Sequence, residues 1–164
     1  MAAGEATRKK RSELGGKETG AVDDRGRLFL SKEKKDILGD NFVMTIGPVG
    51  AIFAYPDAEW DKFLDKLKRY SPMNQARQDY ERFIFGQSDF NVKFEGNRVV
   101  IPAFLRKEAG VTGDVVVLGC NERIEIWAAD EYGKYITSPR EYNKDRRAMF
   151  KEFEDAIAAA EKEA

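Results

Sequence analysis

From Ala21 onward, short apolar runs alternate with turn residues, and the same succession of runs occurs twice. The block Val22-Asp23-Asp24-Arg25-Gly26-Arg27-Leu28-Phe29-Leu30-Ser31 is matched 71 positions later by Lys93-Phe94-Glu95-Gly96-Asn97-Arg98-Val99-Val100-Ile101-Pro102. In each, a turn, an arginine and three apolar residues follow one another. Further on, Phe42-Val43-Met44-Thr45-Ile46-Gly47 matches Val115-Val116-Val117-Leu118-Gly119, and the run 52–60 matches 124–132, both at an offset of 72. Short apolar runs bounded by turn residues predict strands, and a fixed offset predicts a duplicated unit. Each copy therefore reads as strand, short helical turn (32–38 or 103–109), strand, turn, strand and the start of a helix.

Between the copies the period changes from two to about 3.6. Trp60, Phe63, Leu64, Leu67 and Tyr70 fall at helical spacing after Asp57, which is placed to cap them, and Ser71-Pro72 interrupts the run. A second helix is predicted over roughly Asn74–Phe85, stopped by Gly86, so the connector is a helical hairpin. After Ser138-Pro139 a charged helix is expected from about Arg140 to Lys162, with Met149, Phe150, Phe153 and Ile157 as a packing stripe toward this chain or a neighbouring copy. Residues 1–20 carry one leucine and no aromatic, which predicts a disordered arm. The expected organisation is a basic arm over 1–20, one unit over 19–62, a helical connector over 63–90, a second unit over 91–134 and a terminal helix over 138–164.

Composition narrows the chemistry. Hydrophobic residues at 42% and charged residues at 35% are those of a chain that folds. There is no histidine, which removes the commonest general base and zinc ligand, and the single Cys120 has no imidazole to activate it. The carboxylates Glu152, Glu154 and Asp155 lie on the solvent side of a predicted helix. No enzyme, cofactor, metal site or small-molecule substrate is expected. No apolar window is long enough to span a membrane, and the expectation is a cytoplasmic protein. With 28 basic and 29 acidic residues, any nucleic-acid site must be a local patch.

Arg27 and Arg98 are the candidates for such a patch. Each follows a tight turn, Arg25-Gly26 or Gly96-Asn97, that projects the next side chain from the head of a strand. A guanidinium fork suits the paired acceptors of guanine or a phosphate. The alternative is an ordinary ion pair, with Asp23 as partner to Arg27. Asp23 reads better as an orienter of the loop than as a contact, because a carboxylate is repelled by phosphate. Arg25 is placed for a phosphate, as is Lys32 just past the strand. The run Arg8-Lys9-Lys10-Arg11 is either a solvated tail or an auxiliary phosphate clamp. Trp60 and Trp127, at strand-to-helix junctions, read as core anchors in preference to base-stacking platforms.

These blocks resemble the SpoVT-AbrB type β unit, and their arrangement resembles the MraZ family of bacterial transcriptional regulators, over roughly Ala21 to Tyr135. The resemblance is carried by Asp23-Asp24-Arg25-Gly26-Arg27-Leu28, Tyr55-Pro56-Asp57-Ala58-Glu59-Trp60, Asn74-Gln75-Ala76-Arg77, and Val115-Val116-Val117-Leu118-Gly119 leading to Ile124-Glu125-Ile126-Trp127. It implies an α+β fold in which two repeats form a pseudo-two-fold β barrel. It also implies ring-shaped homo-oligomers that bind G-rich direct repeats in double-stranded promoter DNA of the division and cell-wall gene cluster, as a nucleoid-associated repressor. Carried over by position, the DNA contacts are Arg25 and Arg27 in the first unit and Arg98 in the second. Two departures stand out. Phe94 occupies the aspartate position of the second loop, which puts that loop's geometry in question although Asn97 tolerates a left-handed turn, and Ser31 replaces a proline. Two rival readings are a ring-forming adaptor that has lost specific DNA binding, and an antitoxin-like partner protein.

Overall fold

Strict alternation along four strands builds the centre of the molecule. A computed structural model describes residues 16–163. Their elements run β1 (Lys17–Ala21), β2 (Arg27–Phe29), α1 (Lys32–Leu38), β3 (Phe42–Ile46), β4 (Ile52–Pro56), α2 (Asp57–Lys68), α3 (Gln75–Phe85), β5 (Phe94–Glu95), β6 (Arg98–Val100), α4 (Ala103–Ala109), β7 (Asp114–Gly119), β8 (Ile124–Ala128), α5 (Ala129–Thr137) and α6 (Lys144–Glu163). All strand pairings are antiparallel, and the class is α+β.

One sheet has the order β1-β7-β8-β4-β3 and the other β2-β6-β5. Along the large sheet, Phe42, Met44, Ile46, Ile52, Ala54, Val115, Val117, Ile124 and Ile126 point to one face. There they meet Leu28, Leu30, Val99 and Ile101 from the small sheet and its flanks, with Leu38 and Leu105 from α1 and α4. This is the main core. Val43, Phe53, Val116 and Trp127 point to the opposite face, which aromatic clusters from the helices cover. Trp60 and Trp127 are buried there, Trp60 against Phe63 and Trp127 against Tyr135, so both serve packing.

The closed barrel expected from the resemblance is not formed among the described residues. Strands β2 and β6, three residues each, pair with one another and lie over the core as a short separate sheet, with no ladder to β1 or β3. The arm expected over 1–20 also ends earlier: Lys17–Ala21 is the edge strand β1, aligned along β7 from Lys17↔Leu118 to Ala21↔Asp114. Its polar composition hid it, because an edge strand is held by backbone hydrogen bonds and has little to bury.

Several pairings interlock the two halves of the chain. The β2–β6 ladder is centred on Leu28↔Val99 and the β4–β8 ladder on Phe53↔Glu125. The first half's β1 lies on β7, while Asp89 bridges back to Met44 in β3.

The helical hairpin is present as α2 and α3. Asp57 is the first helical residue rather than the cap: Pro56 holds the cap position with no side-chain hydrogen bond, leaving Asp57 to favour the positive helix end. Asn74 caps α3 through the Arg77 amide and donates to the Ile157 carbonyl of α6. The terminal helix starts at Lys144, four residues later than expected, after Asn143 turns the chain with a positive φ.

Candidate nucleic-acid interface

The sequence Asp23-Asp24-Arg25-Gly26 forms a closed turn because its first side chain can receive what the backbone offers. The Gly26 amide donates to the Asp23 carbonyl at 3.0 Å. The Asp23 carboxylate accepts from the amides of Arg25 (3.0 Å) and Arg27 (2.9 Å) through Oδ1, and from Arg27 Nε (2.7 Å) through Oδ2. Gly26 has φ +81°, and a Cβ there would meet the Ile101 carbonyl at 2.7 Å and the Arg106 guanidinium at 2.9 Å. Only glycine fits both the angle and the space.

The Arg27 amide, with further help from its guanidinium and the Arg25 amide, holds the Asp23 carboxyl below the usual carboxylate range against a smaller opposing effect of desolvation. A lowered folded-state value means that its contribution to loop stability is complete above the ordinary value of 3.8 and is lost as pH falls through the folded value. The amide shifts of Arg25 and Arg27 are therefore expected to stay constant from about pH 8 to about pH 5 and to move together only on stronger acidification. A pH titration followed by NMR checks this, and a midpoint above 3.8 would count against the role given to Asp23.

The second loop reaches the same end by other means. Gly96 takes the left-handed angle, φ +63°, and Asn97 does not, so the tolerance expected of Asn97 goes unused. Phe94 and Glu95 pair with Val99 and Arg98 across the two-residue turn, which fixes the register without an aspartate. Phe94 packs on Phe42, ring centres 5.4 Å apart, and Lys35 Nζ lies 5.0 Å over its ring. The same ammonium donates to the Gly96 carbonyl at 3.0 Å. At the first loop, Arg106 lies beside Gly26 while donating to the Ile101 carbonyl of its own half (3.1 Å), and it is the Ile101 amide that donates to the Gly26 carbonyl at 2.8 Å. The second loop is thus held by a cation from the first half's short helix, and the first loop by a backbone hydrogen bond from the second half.

The ladder Arg27↔Val100, Leu28↔Val99, Phe29↔Arg98 puts Leu28 and Val99 into the core and turns Arg27, Phe29, Arg98 and Val100 outward on one face. The two arginines do not form separate edges. They converge on one carboxylate, with Arg98 Nη1 3.9 Å from Asp23 Oδ2. Arg98 keeps 53% of its side chain exposed, against 31% for Arg27. Arg25 is exposed in the turn and Lys32 at the start of α1. Arg8, Lys9, Lys10 and Arg11 lie outside the described residues. Phe29, 62% exposed between the arginines, was not singled out from the sequence. The run Arg27-Leu28-Phe29-Leu30 reads as one apolar stretch until its pairing shows which side chains face out.

Cys120 lies half-buried between β7 and β8, and burial pushes its thiol up, with the Glu125 charge acting the same way, which disfavours the thiolate. Among the described residues no cluster of acidic or cysteine side chains has the makings of a metal site, and no helix is long and apolar enough to cross a membrane. A cavity of about 640 Å³ lies on the aromatic side of the large sheet, lined by Trp60, Tyr80, Trp127 and Phe150 among others, on the face opposite the main core.

A family profile described as "MraZ protein, putative antitoxin-like" matches residues 14–83 and 95–153. The chain is 37% identical over 111 residues to the "Transcriptional regulator MraZ" of Lachnoclostridium phytofermentans, covering 68% of this chain and 78% of that one. It is 37% identical over 116 residues to the protein of the same name from Heliobacterium modesticaldum, covering 70% and 80%. With the one from Frankia alni it shares 35% over 126 residues, 77% of this chain and 88% of the other.

Proposed function

The chain belongs to the MraZ family, and on that premise we propose that it is a transcriptional regulator that binds double-stranded promoter DNA through the outward face of β2 and β6. The observation that carries this reading is the convergence of Arg27 and Arg98, from the two halves of the chain, on Asp23 at an exposed sheet face. A two-stranded antiparallel ribbon, which β2 and β6 form beside the short β5, is one of the elements the major groove admits. Arg27, oriented by two points of contact with Asp23, is the reader of guanine; Arg98, Arg25 and Lys32 supply phosphate or secondary base contacts. Asp23 orients and does not touch DNA.

We read the chain as two copies of one SpoVT-AbrB-like unit, 19–62 and 91–134, joined by the connector 63–90 and followed by the terminal helix 138–164. Support comes from the two ladder centres, Leu28↔Val99 and Phe53↔Glu125, which join residues 71 and 72 positions apart, the offsets of the sequence repeat. Several copies in a ring would present their faces to successive G-rich boxes, so that weak single contacts add through high effective concentration. Occupying the promoter of its own gene cluster then represses it, in the cytoplasm and on the nucleoid.

Mobility-shift titration with the DNA upstream of its own gene tests the reading. The expected result is a preference for that DNA over a shuffled duplex, with affinity falling steeply as salt rises because phosphate contacts release counterions. Equal binding to both duplexes, or none, would overturn it. Light scattering of the free protein measures the ring.

A further inference from the structure

We propose that Phe29 is a base-reading residue, an apolar contact for the 5-methyl group of a thymine within about two base pairs of a guanine read by the arginines. This rests on the DNA-binding reading above. Phe29 is 62% exposed in a strand whose neighbouring positions, Leu28 and Leu30, are buried. It stands directly opposite Arg98 in the β2–β6 ladder and two residues from Arg27 on the same face. A single exposed apolar side chain is ordinary on a protein surface; what sets Phe29 apart is its place beside both guanidinium groups of the candidate reading face.

The chemistry selects the occupant. A phenyl ring offers phosphate no donor, and bases within an intact duplex are already stacked on one another. What the major groove offers an apolar side chain is the thymine methyl. Side chains opposite one another on paired strands stand about 5 Å apart, and those two apart along a strand about 6.5 Å, whereas base pairs step by about 3.4 Å. Phe29 and the two guanidinium groups therefore fall over neighbouring base pairs. A second copy of the chain is the poorer occupant, because a self-complementary contact through Phe29 brings two pairs of arginines face to face.

The test replaces each thymine of the upstream duplex, one at a time, by deoxyuridine, which removes the methyl alone, and measures binding by fluorescence anisotropy. For the wild type, one replacement near a guanine is expected to weaken binding about fourfold, the worth of one buried methyl group. Phe29→Ala is expected to bind the unmodified duplex several-fold more weakly and to be indifferent to that replacement, with Phe29→Leu in between; circular dichroism checks that each variant folds. The inference is overturned if the wild type ignores every replacement, if Phe29→Ala stays as sensitive as the wild type, or if Phe29→Ala alters the oligomeric mass. If the wild type prefers the upstream duplex while any of these holds, the DNA-binding reading stands and the role of Phe29 falls. If no preference exists at all, both fall.

Discussion

Replacing Arg27 by alanine is expected to lower discrimination between the upstream duplex and a shuffled one by about 10- to 100-fold, the worth of one bidentate arginine–guanine pair. Non-specific binding should fall much less, since one cation among several is lost. The reason lies in the loop. Asp23 spends one oxygen on the two backbone amides and the other on Arg27 Nε, so the fork is held in one direction before DNA arrives. Arg98 is held only by a distant edge of the same carboxylate and stands beside Glu95 in the β5–β6 ladder. Arg98→Ala is accordingly expected to cost less discrimination than Arg27→Ala. Parallel anisotropy titrations of both variants on both duplexes check the order, and equal losses would remove the distinction drawn between the two halves.

Glu125→Ala is expected to destabilise the fold by about 3 kcal/mol, a fall in melting temperature on the order of 10 °C. Glu125 is buried at the centre of the β4–β8 ladder, opposite Phe53. Its carboxylate accepts from Trp127 Nε1 (2.9 Å) and from Arg123 through Nε (2.8 Å) and Nη2 (2.7 Å), while the Arg123 guanidinium lies 4.6 Å over the Phe53 ring. Removing the carboxylate leaves the buried indole N–H and the guanidinium without their acceptor, and a lost partner costs more than a pair never made. Glu125→Gln keeps an acceptor for the indole and should cost less, and Glu122→Ala, at an exposed position, should be close to neutral. Scanning calorimetry of the three variants separates these expectations. A Glu125→Ala protein as stable as the wild type would show that the buried carboxylate and its donors do not hold this part of the fold.

The sequence reveals those parts of the molecule that depend on local pattern. The arginine-headed strands, the alternation of the central sheet and the break at Ser71-Pro72 are written in neighbouring residues, and all appear in the structure. The bonding of the Asp23 carboxylate within its own loop was equally readable, because a carboxylate four residues before an arginine across a glycine turn has few other partners. Features set by contact between the halves were not readable. Lys35 and Arg106 sit in unremarkable charged helical turns, and only the interlocked pairing brings Lys35 to the Gly96 carbonyl and Arg106 beside Gly26. The open arrangement of the two sheets depends on how few residues β2 and β6 spare for pairing, which apolar content does not reveal. The convergence of Arg27 and Arg98 on one carboxylate follows from the β2–β6 register, and with it the exposure of Phe29.

Hydroxyl-radical footprinting of the protein, with and without its upstream DNA, tests the β2–β6 face most directly. Phe29 and Met73 are both exposed and reactive side chains, at 62% and 78% exposure, one on that face and the other in the bend between α2 and α3. The β2–β6 reading predicts that DNA protects Phe29 and leaves Met73 as reactive as before. Protection of Met73 with Phe29 unchanged would place the DNA elsewhere and contradict it.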